Sequence, residues 1–136
     1  MKNYSENVIK TKNKLLKHFT NGFAHNLILW IISKETIHGY AIMKKLDEFF
    51  GSDEDFKNTS SKLYPLLRKM EHNGLIEGEW GVNENNKRVK YYTITEDGKD
   101  VLLLCREKFD KFKTNPHWLE FMNDLTGMEF NNEKRN

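Results

Sequence analysis

Thr59-Ser60-Ser61-Lys62-Leu63-Tyr64-Pro65-Leu66-Leu67-Arg68-Lys69-Met70-Glu71-His72, with Gly74 just beyond it, is the stretch whose reading decides the fold. Leu63, Leu66, Leu67 and Met70 fall at i, i+3, i+4 and i+7, so a helix gathers them into one apolar stripe. Ser61, Tyr64, Pro65, Arg68 and Lys69 lie on the other side. Pro65 sits near the helix start, where a missing backbone donor costs least. A short helix with an apolar back and a front of hydroxyl, aromatic and cationic groups suits a DNA major groove. It equally suits an ordinary surface helix, so the neighbouring segments must decide.

Gly74 supplies a left-handed residue to end the helix. Leu75–Trp80 then forms one strand candidate and Val89–Ile94 a second, rich in β-branched and aromatic residues. The residues between them, Val82-Asn83-Glu84-Asn85-Asn86-Lys87-Arg88, are polar and turn-prone. Helix, glycine stop, strand, basic tip, strand is the layout of a winged helix-turn-helix, with Lys87, Arg88 and Lys90 near the tip where phosphates would lie. Alternation sets Tyr92 and Ile94 on the core face and Val89, Tyr91 and Thr93 on the other. Tyr91 is therefore the strand's candidate for contact with DNA or a neighbouring helix.

Four motifs in register carry a family resemblance: His38-Gly39-Tyr40, Leu63-Tyr64-Pro65-Leu66-Leu67, Gly74-Leu75-Ile76, and the run Arg88-Val89-Lys90-Tyr91-Tyr92-Thr93-Ile94-Thr95-Glu96-Asp97-Gly98. Over about residues 23 to 103 the chain resembles transcription regulators of the PadR family. The resemblance implies a dimeric, DNA-binding winged-helix repressor, often tuned by a small molecule. It implies that Tyr40 faces the DNA backbone, and that Ser60, Ser61, Lys62 and Tyr64 reach DNA, with Arg68 and Lys69 further along. Phosphate is the expected partner of Lys62 and Lys69, whereas Arg68 could read a base edge. Two features depart from the family's minimal form: an extension before Gly22 and a C-terminal region interrupted by Pro116.

Composition bounds the reading without deciding it. The 136 residues suit a single domain with a modest core, and the net charge is only +2. Charge is segregated, however. Five lysines stand against Glu6 in residues 1–20, and Lys57, Lys62, Arg68 and Lys69 against Glu71 in residues 57–72. Asp47, Glu48, Asp53, Glu54 and Asp55 gather the opposite sign. Such a field steers a polyanion to one side of a nearly neutral molecule. The single cysteine excludes an internal disulfide and a cysteine-based zinc site. The longest apolar run, Leu27 to Ile32, is far too short for a bilayer, and a cytoplasmic protein is the simplest expectation.

Along the chain, Ser5 to about Phe19 reads as a lysine-rich helix, either an arm for a partner subunit or for phosphates or a solvated helix on its own subunit, separated by Gly22 from the next segment. Phe23 to Ser33 is apolar on nearly all sides and should be buried on nearly all sides. His38-Gly39-Tyr40 opens a third helix, in which Lys44 and Lys45 are weaker candidates for DNA, and Gly51 to Lys57 is an acidic connection. Thr95 can cap a long helix with Glu96 and Asp97 at its positive end. Val101, Leu102, Cys105, Phe109 and Phe112 stripe that helix, and Leu103 and Leu104 extend its apolar surface. Asn115-Pro116 reads as the cap and first position of a further helix, carrying Trp118, Phe121, Met122 and Leu125. More apolar surface than one chain can cover points to a homodimer through Leu103, Leu104, Phe109, Phe112, Trp118, Phe121, Met122 and Leu125.

The expected architecture is thus mainly α with a small β-hairpin. It comprises an N-terminal helical extension (1–22), a winged helix-turn-helix (23–95), a C-terminal helical dimerisation region (96–126) and a mobile tail (127–136). No histidine spacing, glycine-rich phosphate loop or nucleophile elbow suggests an enzyme, a metal or a cofactor. The leading expectation is a homodimeric repressor on a pseudo-palindromic operator, with Trp30 and Trp118 as candidates for a flat aromatic effector. A winged-helix protein-interaction module without DNA binding is the alternative.

Overall fold

The computed structural model describes residues 2–51 and 62–129. The chain divides into two compact units, residues 1–99 and 100–136. The first holds α1 (Glu6–Lys34), β1 (Ile37–His38), α2 (Gly39–Phe50), α3 (Leu63–His72), β2 (Ile76–Val82), β3 (Arg88–Ile94) and the start of α4 (Glu96–Asp110). The remainder of α4 and α5 (Pro116–Thr126) belong to the second.

The Ser5 hydroxyl starts α1 by accepting from Val8 N–H at 3.2 Å, with Glu6 in the first turn. The helix then runs 29 residues without the expected break at Gly22. A mid-helix glycine costs about 1 kcal/mol relative to alanine. The packing of Leu27, Ile28, Leu29, Ile31 and Ile32, all buried, outweighs that local preference. All-round burial of Phe23 to Ser33 does not hold either, because Phe23 and Trp30 lie exposed. The body of the first unit covers one side of α1 and leaves the other open.

His38 ends the two-residue strand β1 and also caps α2, its Nδ1 accepting from Ala41 N–H at 3.2 Å. The side chains of Ile42 and Leu46 enter the core, and Gly51 closes α2 with a positive φ of 67°. The acidic connection falls at residues 52–57, outside the described residues.

In α3, Leu63, Leu67 and Met70 are buried and Leu66 half-buried, the apolar back expected of this helix. The described helix starts at Leu63; Thr59, Ser60 and Ser61 lie outside the described residues. Pro65 is then the third helical residue, among the first four positions whose N–H groups have no intrahelical acceptor. Gly74 (φ 77°) turns the chain, with Leu75 N–H returning to the Met70 carbonyl at 2.9 Å.

The sheet has the order β1-β3-β2, antiparallel throughout. The hairpin joins Ile76 opposite Ile94 to Val82 opposite Arg88, longer at its tip than sequence suggests. Asn83 organises the tip: its side-chain oxygen accepts from the N–H groups of Asn85 and Lys87, each at 2.9 Å, and Asn86 adopts a left-handed φ of 63°. Pairing of Ile37 with Tyr92 adds β1 on the other edge of β3, and Tyr92 is buried there.

Thr95 joins hairpin to α4 in two ways. Its hydroxyl accepts from Gly98 N–H at 3.1 Å, the expected cap, and donates to the Gly74 carbonyl at 2.7 Å. In the second unit, Asn115 caps α5 by accepting from His117 and Trp118 N–H groups, Pro116 follows, and Gly127 (φ 69°) ends the helix. The Trp118 ring lies 5.3 Å from Phe112 and 6.1 Å from Phe121, centroid to centroid. Cys105 is half-buried rather than sealed in a core.

Candidate nucleic-acid interface

Burial of the α3 stripe turns Tyr64, Pro65, Arg68 and Lys69 outward, and all four are exposed. The start of α2 adjoins the same end of α3. A Cβ on Gly39 would sit 2.8 Å from the Tyr64 ring, so Gly39 is the residue that lets the two helices meet. Next to it Tyr40 is exposed, with the Lys44 ammonium 5.6 Å from its ring centroid. Tyr40, Lys44 and Tyr64 thus gather where the two helix starts meet, with Arg68 and Lys69 exposed further along α3.

The hairpin contributes a second cationic surface. Lys87 is exposed at the tip, and the Arg88 guanidinium lies 4.6 Å from the centre of the exposed Trp80 ring. Trp80 pairs with Lys90, so Arg88 reaches it diagonally across the ladder. Sequence reasoning treated Trp80 as a plain strand residue; its even spacing from Ile76, which puts it on the core face before the hairpin outruns the core, was the available signal.

Three other candidates are engaged by their own chain. Lys62 donates to the side-chain oxygen of Asn21 on α1 at 2.8 Å. The Tyr91 ring packs edge-on against His38 at 5.5 Å, and its hydroxyl donates to the Val82 carbonyl at 3.4 Å. Lys90 is half-buried, not at the tip, and forms a 2.8 Å ion pair with Glu71 on α3. Alternation tells which strand face a residue takes but not which helix crosses that face. Ser60 and Ser61 lie outside the described residues.

Glu71 is the residue sequence reasoning missed. While Oε1 holds Lys90, Oε2 accepts from Gly78 N–H at 3.2 Å, so one carboxylate fastens α3 to both strands of the hairpin. Gly78 makes room for it: a Cβ there would fall 2.2 Å from Lys90 Cε. Glycine inside an otherwise clear strand was the signal, since it often marks a close approach.

The pair also sets a pH dependence. The hydrogen bond that the Lys90 ammonium donates to Glu71, together with the carboxylate's charge, holds it above the ordinary lysine value of 10.5, against opposing desolvation. Burial likewise raises the Tyr92 phenol above its ordinary 10.0. Above those ordinary values the unfolded chain loses protons before the folded one does. Stability is therefore whole below about pH 10 and falls as pH rises through the raised folded values. Urea unfolding across this range is expected to show the decline. Lys90→Met and Tyr92→Phe should each make it shallower, and a slope unchanged from wild type in both variants contradicts the assignment.

Among the described residues, no helix is long and apolar enough to cross a membrane, and no group of three metal-ligating side chains is present. No curated protein matches the chain. Solved structures do. A PadR-like transcriptional regulator from Bacillus cereus is 28% identical, with a TM-score of 0.61 over 82% of this chain and 99% of its own. A PadR family regulator from Eggerthella lenta is 27% identical, with a TM-score of 0.60 over 82% and 100% of the two chains. One from Clostridium difficile is 26% identical, at 0.57 over 76% and 97%. The profile of the transcriptional regulator PadR-like family matches residues 28–103, which span α1 from its buried segment through the hairpin into α4. With the winged helix-turn-helix formed by α2, α3 and the hairpin, this match shows that the chain belongs to the PadR-like family of transcriptional regulators.

Proposed function

We propose that the protein is a homodimeric repressor that binds a pseudo-palindromic operator, each subunit setting α3 in a major groove and its wing along the adjacent backbone. The observation that carries this reading is the outward face of α3, where Tyr64, Arg68 and Lys69 stand exposed while Leu63, Leu67 and Met70 anchor the helix from behind. Tyr40, Lys87 and Arg88 would hold phosphates at its two sides. Lys62, Lys90 and Tyr91 would act indirectly, by fixing the ends of α3 and the hairpin. Arg68 is the side chain of the type that pairs with guanine edges.

Dimerisation rests on the second unit, where Leu103, Leu104, Phe109, Phe112, Phe121 and Leu125 are exposed and Trp118 and Met122 are half-buried. A surface of this composition calls for a partner, and a second copy meets it most simply. Within the second unit, the aromatic group of Phe112, Trp118 and Phe121 offers stacking surface to a flat effector; in the first unit, exposed Trp30 is a separate candidate. Binding there would change tryptophan emission.

Sedimentation and footprinting test the proposal together. A species of twice 16.2 kDa is expected, protecting two half-sites about one helical turn, or a multiple of it, apart. A monomer that protects no DNA refutes the reading. A winged-helix module that only binds proteins is then the account to pursue.

A further inference from the structure

The first half of α1 lies before the family match, which begins at residue 28. It is unusual in charge: Glu6 is the only carboxylate between Met1 and Lys34. Lys10, Lys14, Lys17 and Asn21 follow one another at i, i+4, i+7 and i+11, so they line a single face of the helix. All four are exposed. None of the three lysines has an ion-pair partner among the described residues.

Direction comes from Asn21. Its side-chain oxygen receives the Lys62 ammonium at 2.8 Å, and Lys62 is the residue that opens α3. The face that carries the lysines is therefore the face that touches the start of α3. From that contact the stripe runs back to Lys10 over about 16 Å, roughly half a turn of duplex DNA. Val8, Leu15 and Phe19 occupy the opposite side of the helix, and Glu6, one turn before Lys10, is the one carboxylate on the lysine face.

We propose that the Lys10–Lys14–Lys17 face of α1 binds the phosphate backbone of duplex DNA flanking the segment held by α3 and the wing. The inference rests on the reading of α3 and the wing as DNA-binding. A polyanion fits better than an acidic protein surface. The lysines are spaced along a rod without apolar groups among them, and the stripe ends at Lys62, which opens the helix that carries Arg68 and Lys69. Contacts of this kind add affinity without sequence preference, and the number of phosphates they neutralise appears in the salt dependence.

The test compares the intact protein with K10Q/K14Q/K17Q on two mixed-sequence duplexes, of about 12 and about 40 base pairs. Glutamine keeps helix propensity and removes charge. On the long duplex the slope of log affinity against log salt is expected to fall by about 2–3 in the variant, since each neutralised phosphate contributes about 0.9. On the short duplex, which covers little beyond one helical turn, the two proteins should bind alike, and K10R/K14R/K17R should keep the full slope on both. Equal slopes for intact protein and glutamine variant on the long duplex overturn the proposal while leaving the role of α3 intact. If the intact protein binds neither duplex at low salt, the underlying DNA-binding reading fails, and this proposal with it.

Discussion

Gly98→Ala should destabilise the first unit by about 3 kcal/mol, near the upper end of what overpacking costs. Helix propensity predicts the opposite sign, since alanine in place of glycine inside a helix gains about 1 kcal/mol. Space decides the matter. A Cβ on Gly98 would lie 2.3 Å from the Leu75 carbonyl oxygen and 2.6 Å from Ile94 Cγ1. The first of these is backbone, held from two sides: Leu75 N–H bonds back to Met70, and the same Leu75 carbonyl accepts from Thr95 N–H at 3.0 Å. No side-chain rotation can relieve the overlap, so α4 must shift away from the turn that ends α3. The melting temperature should drop by on the order of 10 °C. Gly22→Ala is the control, with nothing within 4 Å of the added methyl group. There the propensity term acts alone and should raise stability by about 0.5–1 kcal/mol. Two glycine-to-alanine changes in helices of one protein should thus move the melting temperature in opposite directions.

The second large effect concerns DNA. Arg68→Ala should cost about 1–3 kcal/mol on the preferred sequence, roughly 5- to 150-fold in affinity, and flatten the preference at the base it reads. Lys69→Ala should weaken every sequence about equally and lower the salt slope by about 1, the behaviour of a phosphate contact. Among the described residues neither side chain has a hydrogen-bond or ion-pair partner to lose, and both are exposed, so stability should hold within about 0.5 kcal/mol. Glu71→Ala offers a useful contrast. It removes no group aimed at DNA, but it releases both Lys90 and Gly78 from α3.

The parts of this fold that can be read from sequence are those in which one local rule dominates. The i, i+3, i+4, i+7 spacing of Leu63, Leu66, Leu67 and Met70 named the buried side of α3, and Thr95 and Asn115 carried their own capping chemistry. The hairpin announced itself through β-branched and aromatic alternation around a polar tip. What stayed hidden needed a partner distant in sequence. At two residues β1 is too short to show any period, and only its pairing with β3 makes it a strand. Gly22 looked like a boundary because glycine disfavours helix locally, whereas packing beyond it carries α1 through. Lys90 looked free because Glu71, nineteen positions away, reaches it only once α3 lies across the hairpin. For the candidate interface, sequence singled out the cations. The fold sorts them into those left exposed on α3 and at the wing tip, and those bound within the chain, Lys62 and Lys90.

Salt titration of duplex binding by the wild-type protein and by R68A/K69A addresses the central claim most directly, that the exposed cationic front of α3 meets nucleic acid. The account predicts wild-type affinity that falls steeply and linearly with log salt, and a double variant that folds normally yet binds far more weakly with a shallower slope. Negligible wild-type binding to every duplex at low ionic strength, or a double variant indistinguishable from wild type, would contradict it.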